Sequence, residues 1–128
     1  SEDEIGDSLY RSLFGADRLS SHTSALVKRS LAYICQNYER SFSREEMAES
    51  VGANPRYLTR IFGEELGLSP WDYLNRYRVL KAKDLLRHTD ESITEVAMRV
   101  GFNDASYFSR VFRKLARLTP TDYRERGD

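Results

Sequence analysis

The chain holds a single cysteine, Cys35, in 128 residues. An internal disulfide is therefore impossible, and so is a cysteine-rich zinc site. Histidine is almost as scarce. His22 and His88 lie far apart in polar surroundings, with no nucleophile pattern beside them. No phosphate-binding glycine loop and no metal-ligand spacing occur, so no catalytic residue, metal or cofactor is expected and the chain does not read as an enzyme. Long apolar runs are also missing. With 40% hydrophobic and 31% charged residues, the expectation is a soluble chain of one domain's size that never enters a membrane. Nor is there an excess of either charge, since 20 basic residues face 20 acidic ones.

The balance is uneven along the chain. Residues 1–24 hold five acidic residues (Glu2, Asp3, Glu4, Asp7, Asp17) and two arginines, Arg11 and Arg18. The remainder carries 18 basic against 15 acidic residues, a net of +3. Binding to a polyanion would have to come from charge gathered on one face. The acidic, Ser- and Gly-containing stretch 1–24 reads as a linker or the tail of an upstream regulatory domain. Ile5, Leu9, Leu13 and Phe14 leave room there for a short amphipathic helix.

From Ala25 the pattern turns regular. Val27, Leu31, Ile34 and Tyr38 share one helical face, and Cys35 widens the stripe as a small buried hydrophobe. A repeat then follows. Ser43 and Glu46 form an S-x-x-E box at a helix start, and Ser92 and Glu95 form another 49 residues later. Met47, Ala48 and Val51 match Val96, Ala97 and Val100. Gly52 and Gly101 come next, at positions that call for positive φ. Asn54 with Pro55, and Asp104, open the following helices. The first of those turns is one residue shorter, and after it Tyr57, Arg60 and Phe62 match Tyr107, Arg110 and Phe112 at an offset of 50. Leu68-Ser69-Pro70 matches Leu118-Thr119-Pro120, so all three prolines stand at helix starts. No strand alternation rises above noise. The fold class is all-α: two helix-turn-helix subdomains, at 43–66 and 92–116, joined by a long linker helix at 70–87, with about seven helices in all.

A helix pair with a tight glycine turn serves either as a structural corner or as a DNA reader. Two copies with matched polar positions favour the reader. In each second helix Leu58, Ile61 and Phe62, or Phe108, Val111 and Phe112, face inward. The opposite face begins with Arg56, Thr59 and Arg60 in one copy, and with Ala105, Ser106, Ser109 and Arg110 in the other. A helix-turn-helix places that end of the helix in the major groove. There arginine can hold guanine O6 and N7 with two hydrogen bonds, and Ser or Thr can serve several base edges. Tyr57, Asn103, Tyr107, Arg113 and Lys114 are the candidate phosphate contacts. A helical protein-interaction module using Trp71 and the tyrosines is the alternative.

The second copy reads Ile93-Thr94-Glu95-Val96-Ala97, then Val100-Gly101-Phe102-Asn103-Asp104, then Ser106-Tyr107-Phe108-Ser109-Arg110-Val111-Phe112, and closes at Leu118-Thr119-Pro120 and Tyr123-Arg124. With Tyr73–Arg78 and Lys81–Leu86, these stretches closely resemble the DNA-binding domain of the AraC/XylS family of bacterial transcription regulators, over about 100 residues of the 128 (25–128 in domain terms). The resemblance implies a homeodomain-like pair of readers entering adjacent major grooves, about 34 Å apart. It also implies double-stranded DNA and RNA polymerase as partners, a sensory or dimerisation domain upstream, a cytoplasmic location, and transcription activation. Two positions depart from the family. Gly63-Glu64-Glu65 follows Phe62 where basic residues are common, so the second unit is expected to supply more non-specific affinity. Arg117 stands where the first copy has Gly67, so that turn must close without glycine.

Overall fold

In the computed structural model, residues 23–126 are described, and they contain seven helices and no strand. These are α1 (Ala25–Asn37), α2 (Arg44–Val51), α3 (Pro55–Leu66), α4 (Pro70–His88), α5 (Ile93–Arg99), α6 (Ala105–Ala116) and α7 (Pro120–Arg126). The short helix considered around Ile5 to Phe14 lies outside the described residues. The helices form two compact units, and the boundary between them falls inside α4, after Leu74.

In the first unit α1 packs against α2 and α3, which pack on each other. The ends of these helices are set by local chemistry. The Ser43 hydroxyl accepts from the Glu46 amide at 3.0 Å, and Gly52 closes α2 at φ 75°. The Val51 carbonyl, left over at that end, accepts from Arg29 at 3.2 Å. Asn54 caps α3, with Pro55 in its first turn. Val27, Leu31, Ile34, Met47, Ala48, Val51, Leu58 and Phe62 are buried. Burial of each large side chain among them is worth about 1.5–3 kcal/mol. The Phe62 ring meets Tyr73 edge-on at 5.8 Å, and Phe42 lies between Tyr33 and Trp71 at 5.0 and 5.4 Å.

The second unit is built from the remainder of α4 with α5, α6 and α7. Its core is Val79, Ala82, Leu86, Val96, Ala97, Val100, Phe102, Phe108, Phe112 and Tyr123. Four of these are a chain of aromatics: Phe102, Phe108, Phe112 and Tyr123 follow one another at 5.2, 5.7 and 5.6 Å. The Ser92–Glu95 capping box is closed in both directions, and Asp104 caps α6. Arg124 reaches back to the end of α4, donating to the carbonyls of Leu86 and Thr89 at 3.0 and 3.3 Å. It thereby satisfies acceptors that a helix end leaves open.

Two readings from periodicity need correction. Tyr38 does not extend the buried stripe of α1, because α1 ends at Asn37. It belongs to the second unit, where its ring meets Tyr77 edge-on at 5.1 Å. Cys35 is partly exposed rather than buried. The turn after α6 closes with Arg117 itself in the left-handed region, at φ 68°. Its amide donates to the Arg113 carbonyl at 2.9 Å, as Gly67 donates to Gly63 at 2.8 Å.

Candidate nucleic-acid interface

The inward residues of α3 and α6 decide what each helix can offer outward. Leu58 and Phe62 anchor α3, and Phe108 and Phe112 anchor α6, all at 1% exposure or less. Rotation about the helix axis then leaves Arg56, Tyr57 and Arg60 exposed on α3, and Ser106, Tyr107, Arg110, Arg113 and Lys114 exposed on α6. Thr59, Ala105 and Ser109 sit at the edge of those faces, half-buried. Within each helix the candidate reading residues therefore share one face.

The caps limit what the backbone can contribute. The Asn54 side chain accepts from the amides of Arg56 and Tyr57 at 2.9 and 3.3 Å. The Asp104 carboxylate accepts from Ser106 and Tyr107 at 2.8 and 3.2 Å. These amides are spent within the helix and are not available to an anion. Asp104 also adds a negative charge at the start of α6.

The side chains have distinct chemistries. The Thr59 hydroxyl donates to the Pro55 carbonyl at 3.0 Å. Its oxygen is left as an acceptor, suited to an adenine or cytosine amino group. Ser109 has no hydrogen-bond partner among the described residues, so it can donate or accept. The Ala105 methyl suits a thymine methyl. Arg60 lies over the Tyr57 ring at 5.2 Å, and Arg110 lies over Tyr107 at 5.8 Å. The shared Tyr-x-x-Arg spacing produces the same stack twice. The two tyrosines are large exposed aromatics, at 46% and 43%. Tyr107 accepts at its hydroxyl from Asn75 at 3.3 Å, which leaves its O–H free to donate. Asn103 donates to the Ser41 hydroxyl at 3.3 Å and keeps a second N–H.

Three features escaped the sequence reading. Arg60 pairs with Glu64 at 3.1 Å, a pair legible as an i,i+4 spacing of opposite charges. Arg78 is buried; its Nε donates to the Tyr38 carbonyl at 2.9 Å and its Nη2 to Arg40 at 3.0 Å. It also lies over the Phe102 ring at 5.5 Å. Burial pushes the Arg78 guanidinium below the usual arginine pKa, against a smaller opposing effect of Tyr107. Gly101 fits against Arg78 with φ 101°. No local pattern marks Arg78 as an interior residue, since charged side chains on helices are usually solvated. Among the described residues no group of His, Cys, Asp and Glu is placed to hold a metal, and no helix is long and apolar enough to cross a membrane.

The chain is similar in sequence and fold to known proteins. A helix-turn-helix domain family matches residues 47–126. The HTH-type transcriptional activator RhaS of Klebsiella pneumoniae (strain 342) is 37% identical over 109 residues, which is 85% of this chain and 39% of that protein. The chain thus spans about two-fifths of the length of such relatives. Among solved structures, the C-terminal domain of AraT, a response regulator from Geobacillus stearothermophilus, superposes with a TM-score of 0.77. It is 36% identical, with 82% of this chain and 88% of that one covered. The DNA-binding domain of AdpA, a global transcriptional factor solved in complex with a target DNA, superposes with a TM-score of 0.74. It is 29% identical, with 80% and 92% covered.

Proposed function

We propose, for a chain that belongs to the AraC/XylS family of helix-turn-helix proteins, that it binds double-stranded DNA sequence-specifically and regulates transcription. The observation that carries this is the pair of exposed faces on α3 and α6, each built around an arginine stacked on a tyrosine one turn before it. Each helix lies in a major groove. Arg56, Thr59 and Arg60 read bases from the first, and Ala105, Ser106, Ser109 and Arg110 from the second. Tyr57, Asn103, Tyr107, Arg113 and Lys114 hold phosphates. Because RhaS relatives are named activators, activation through RNA polymerase is the favoured outcome. The intact protein then works in the bacterial cytoplasm, on the nucleoid, under an upstream sensory or dimerisation domain.

The test begins with selection of bound sequences from random DNA. Fluorescence anisotropy on the selected site then compares the parent with Arg60→Ala and Arg110→Ala. Loss of one bidentate arginine contact is worth about 1–3 kcal/mol, or roughly 5- to 150-fold in Kd. Helicity should stay unchanged, since both residues are exposed. Affinity should fall steeply with salt, as counterions are released from contacted phosphates. Tight binding that survives both substitutions would remove the major-groove assignment, and no binding at low salt would favour a protein-interaction module.

A further inference from the structure

The two candidate reading helices part company one turn beyond their shared arginine. In α3 the Arg60 Nη1 donates to Glu64 Oε1 at 3.1 Å, with the two side chains 61% and 58% exposed. The same guanidinium lies over Tyr57. Arg60 therefore meets a carboxylate at one nitrogen and a ring on its face, and its Nε–Nη2 edge keeps no intramolecular partner among the described residues. In α6 Arg110 has the ring but no carboxylate partner among the described residues. The position matching Glu64 is Lys114, at the same offset of 50 that relates Arg60 to Arg110.

We propose that Glu64 is a specificity-determining residue of the first unit, acting through Arg60. This rests on the reading of α3 as a helix that lies in the major groove. A long exposed arginine ordinarily reaches any phosphate nearby, and that attraction carries no sequence information. Glu64 opposes such contacts twice. It holds one nitrogen of the guanidinium, and its own charge repels a phosphate drawn to Arg60. A guanine asks for less. Its O6 and N7 can be met by the free Nε–Nη2 edge while Nη1 stays on the carboxylate. The correct base keeps the ion pair and the wrong contact breaks it. The carboxylate thus lowers non-specific affinity more than specific affinity. Glu65 gives the matched control: it carries the same charge one residue on, and its carboxylate accepts from the Ser24 amide at 2.8 Å instead.

The experiment measures Kd for the selected duplex and for a scrambled duplex, across salt, with the parent chain, Glu64→Ala, Glu65→Ala, Arg60→Ala and the double variant Arg60→Ala/Glu64→Ala. Both glutamate variants should gain some affinity from the lost negative charge. Glu64→Ala alone should gain an additional two- to five-fold, roughly, on the scrambled duplex, the range of an exposed ion pair. Its specificity ratio should fall by that factor, and its salt slope on the scrambled duplex should steepen by about one phosphate contact. With Arg60 already replaced, removing Glu64 should do no more than removing Glu65. Equal ratios for the two glutamate variants, or an excess effect that persists without Arg60, overturns the proposal while DNA binding stands. A parent chain that binds neither duplex overturns both this proposal and the reading of α3 beneath it.

Discussion

Gly101→Ala should be among the most damaging single-methyl additions in the second unit. A Cβ at that position would lie 2.0 Å from the Tyr38 carbonyl oxygen and 2.8 Å from Arg78 Nε. These two atoms are themselves hydrogen-bonded at 2.9 Å, so neither yields without loosening the other. Two penalties combine. Holding an alanine at φ 101° costs about 1–3 kcal/mol. Displacing the Tyr38 carbonyl removes a hydrogen bond from a buried guanidinium, worth about 1.5–3 kcal/mol. The sum, about 2.5–6 kcal/mol, is a large part of the 5–15 kcal/mol that usually separates folded from unfolded states. Gly52→Ala is the control, because it shares a positive φ, 75°, but a Cβ there meets nothing within 4 Å. Its cost should be the backbone one alone, about 1–2 kcal/mol. Urea unfolding followed by circular dichroism compares them. Trp71, the only tryptophan, belongs to the first unit, so its fluorescence follows Gly52→Ala while dichroism follows both. An Arg78→Ala background completes the cycle, since one of the two obstructing groups is then gone. Equal losses for the two glycine variants, or no coupling between Gly101 and Arg78, would refute the account of this contact.

Arg117 and Gly63 predict changes in the other direction. Arg117→Gly should raise stability by about 1 kcal/mol, because the arginine sits at φ 68° where glycine carries no steric penalty. Gly63→Ala should raise it by about 0.5–1 kcal/mol, since Gly63 lies inside α3 with open space beside it; thermal melts would register either gain. Tyr123→Phe should leave the melting temperature unchanged or raise it, because the buried Tyr123 hydroxyl has no hydrogen-bond partner among the described residues. A clear loss there would mean that the hydroxyl is satisfied after all. The Glu95 carboxyl titrates below the ordinary glutamate value because it accepts from the Ser92 amide and hydroxyl. A depressed folded pKa contributes stability that is complete above the ordinary glutamate pKa and is lost as pH falls through the folded value. Glu95→Gln should flatten that part of the acid limb of a stability–pH curve, and an unchanged acid limb would count against the box.

What could be read from the sequence divides along the range of the interactions. Ser43, Asn54, Ser92 and Asp104 act on amides two or three residues away, so their helix starts are visible as short patterns. The inward sets of α3 and α6 follow the helical period and are equally visible. Tyr38 misleads because periodicity continues past the point where the helix stops. Its partial burial comes with packing on Tyr77, 39 residues away in sequence. Arg78 and Arg124 are hidden for the same reason, since each donates to carbonyls 35 to 40 residues distant. The Arg60–Glu64 pair is different. Its spacing is plain, but what it does depends on which face of α3 stays exposed, and that follows only once Leu58 and Phe62 are buried.

Charge along α3 and α6 runs in opposite senses. A helix has partial positive charge at its start and partial negative charge at its end, and a side chain of complementary sign adds about 0.3–1 kcal/mol. In α6 the order agrees with the dipole: Asp104 caps the start, and Arg113 and Lys114 occupy the last turn. In α3 the order opposes it, with Arg56 in the first turn and Glu64 and Glu65 near the end. Gly63 weakens the same turn further. The capping amide of α3 is neutral, where α6 has a carboxylate, so the first turn of α3 gains nothing to compensate. Glu64 and Glu65, which oppose the dipole at the end of α3, also place exposed negative charge where a phosphate would be repelled. In α6 the residues that stabilise the last turn are cations available to any phosphate. The charges that favour the last turn are thus cationic in α6, and those that disfavour it are anionic in α3. If the two helices lie on DNA as proposed, the second unit should supply most of the sequence-independent affinity, and Arg113→Ala and Lys114→Ala should weaken binding to a scrambled duplex.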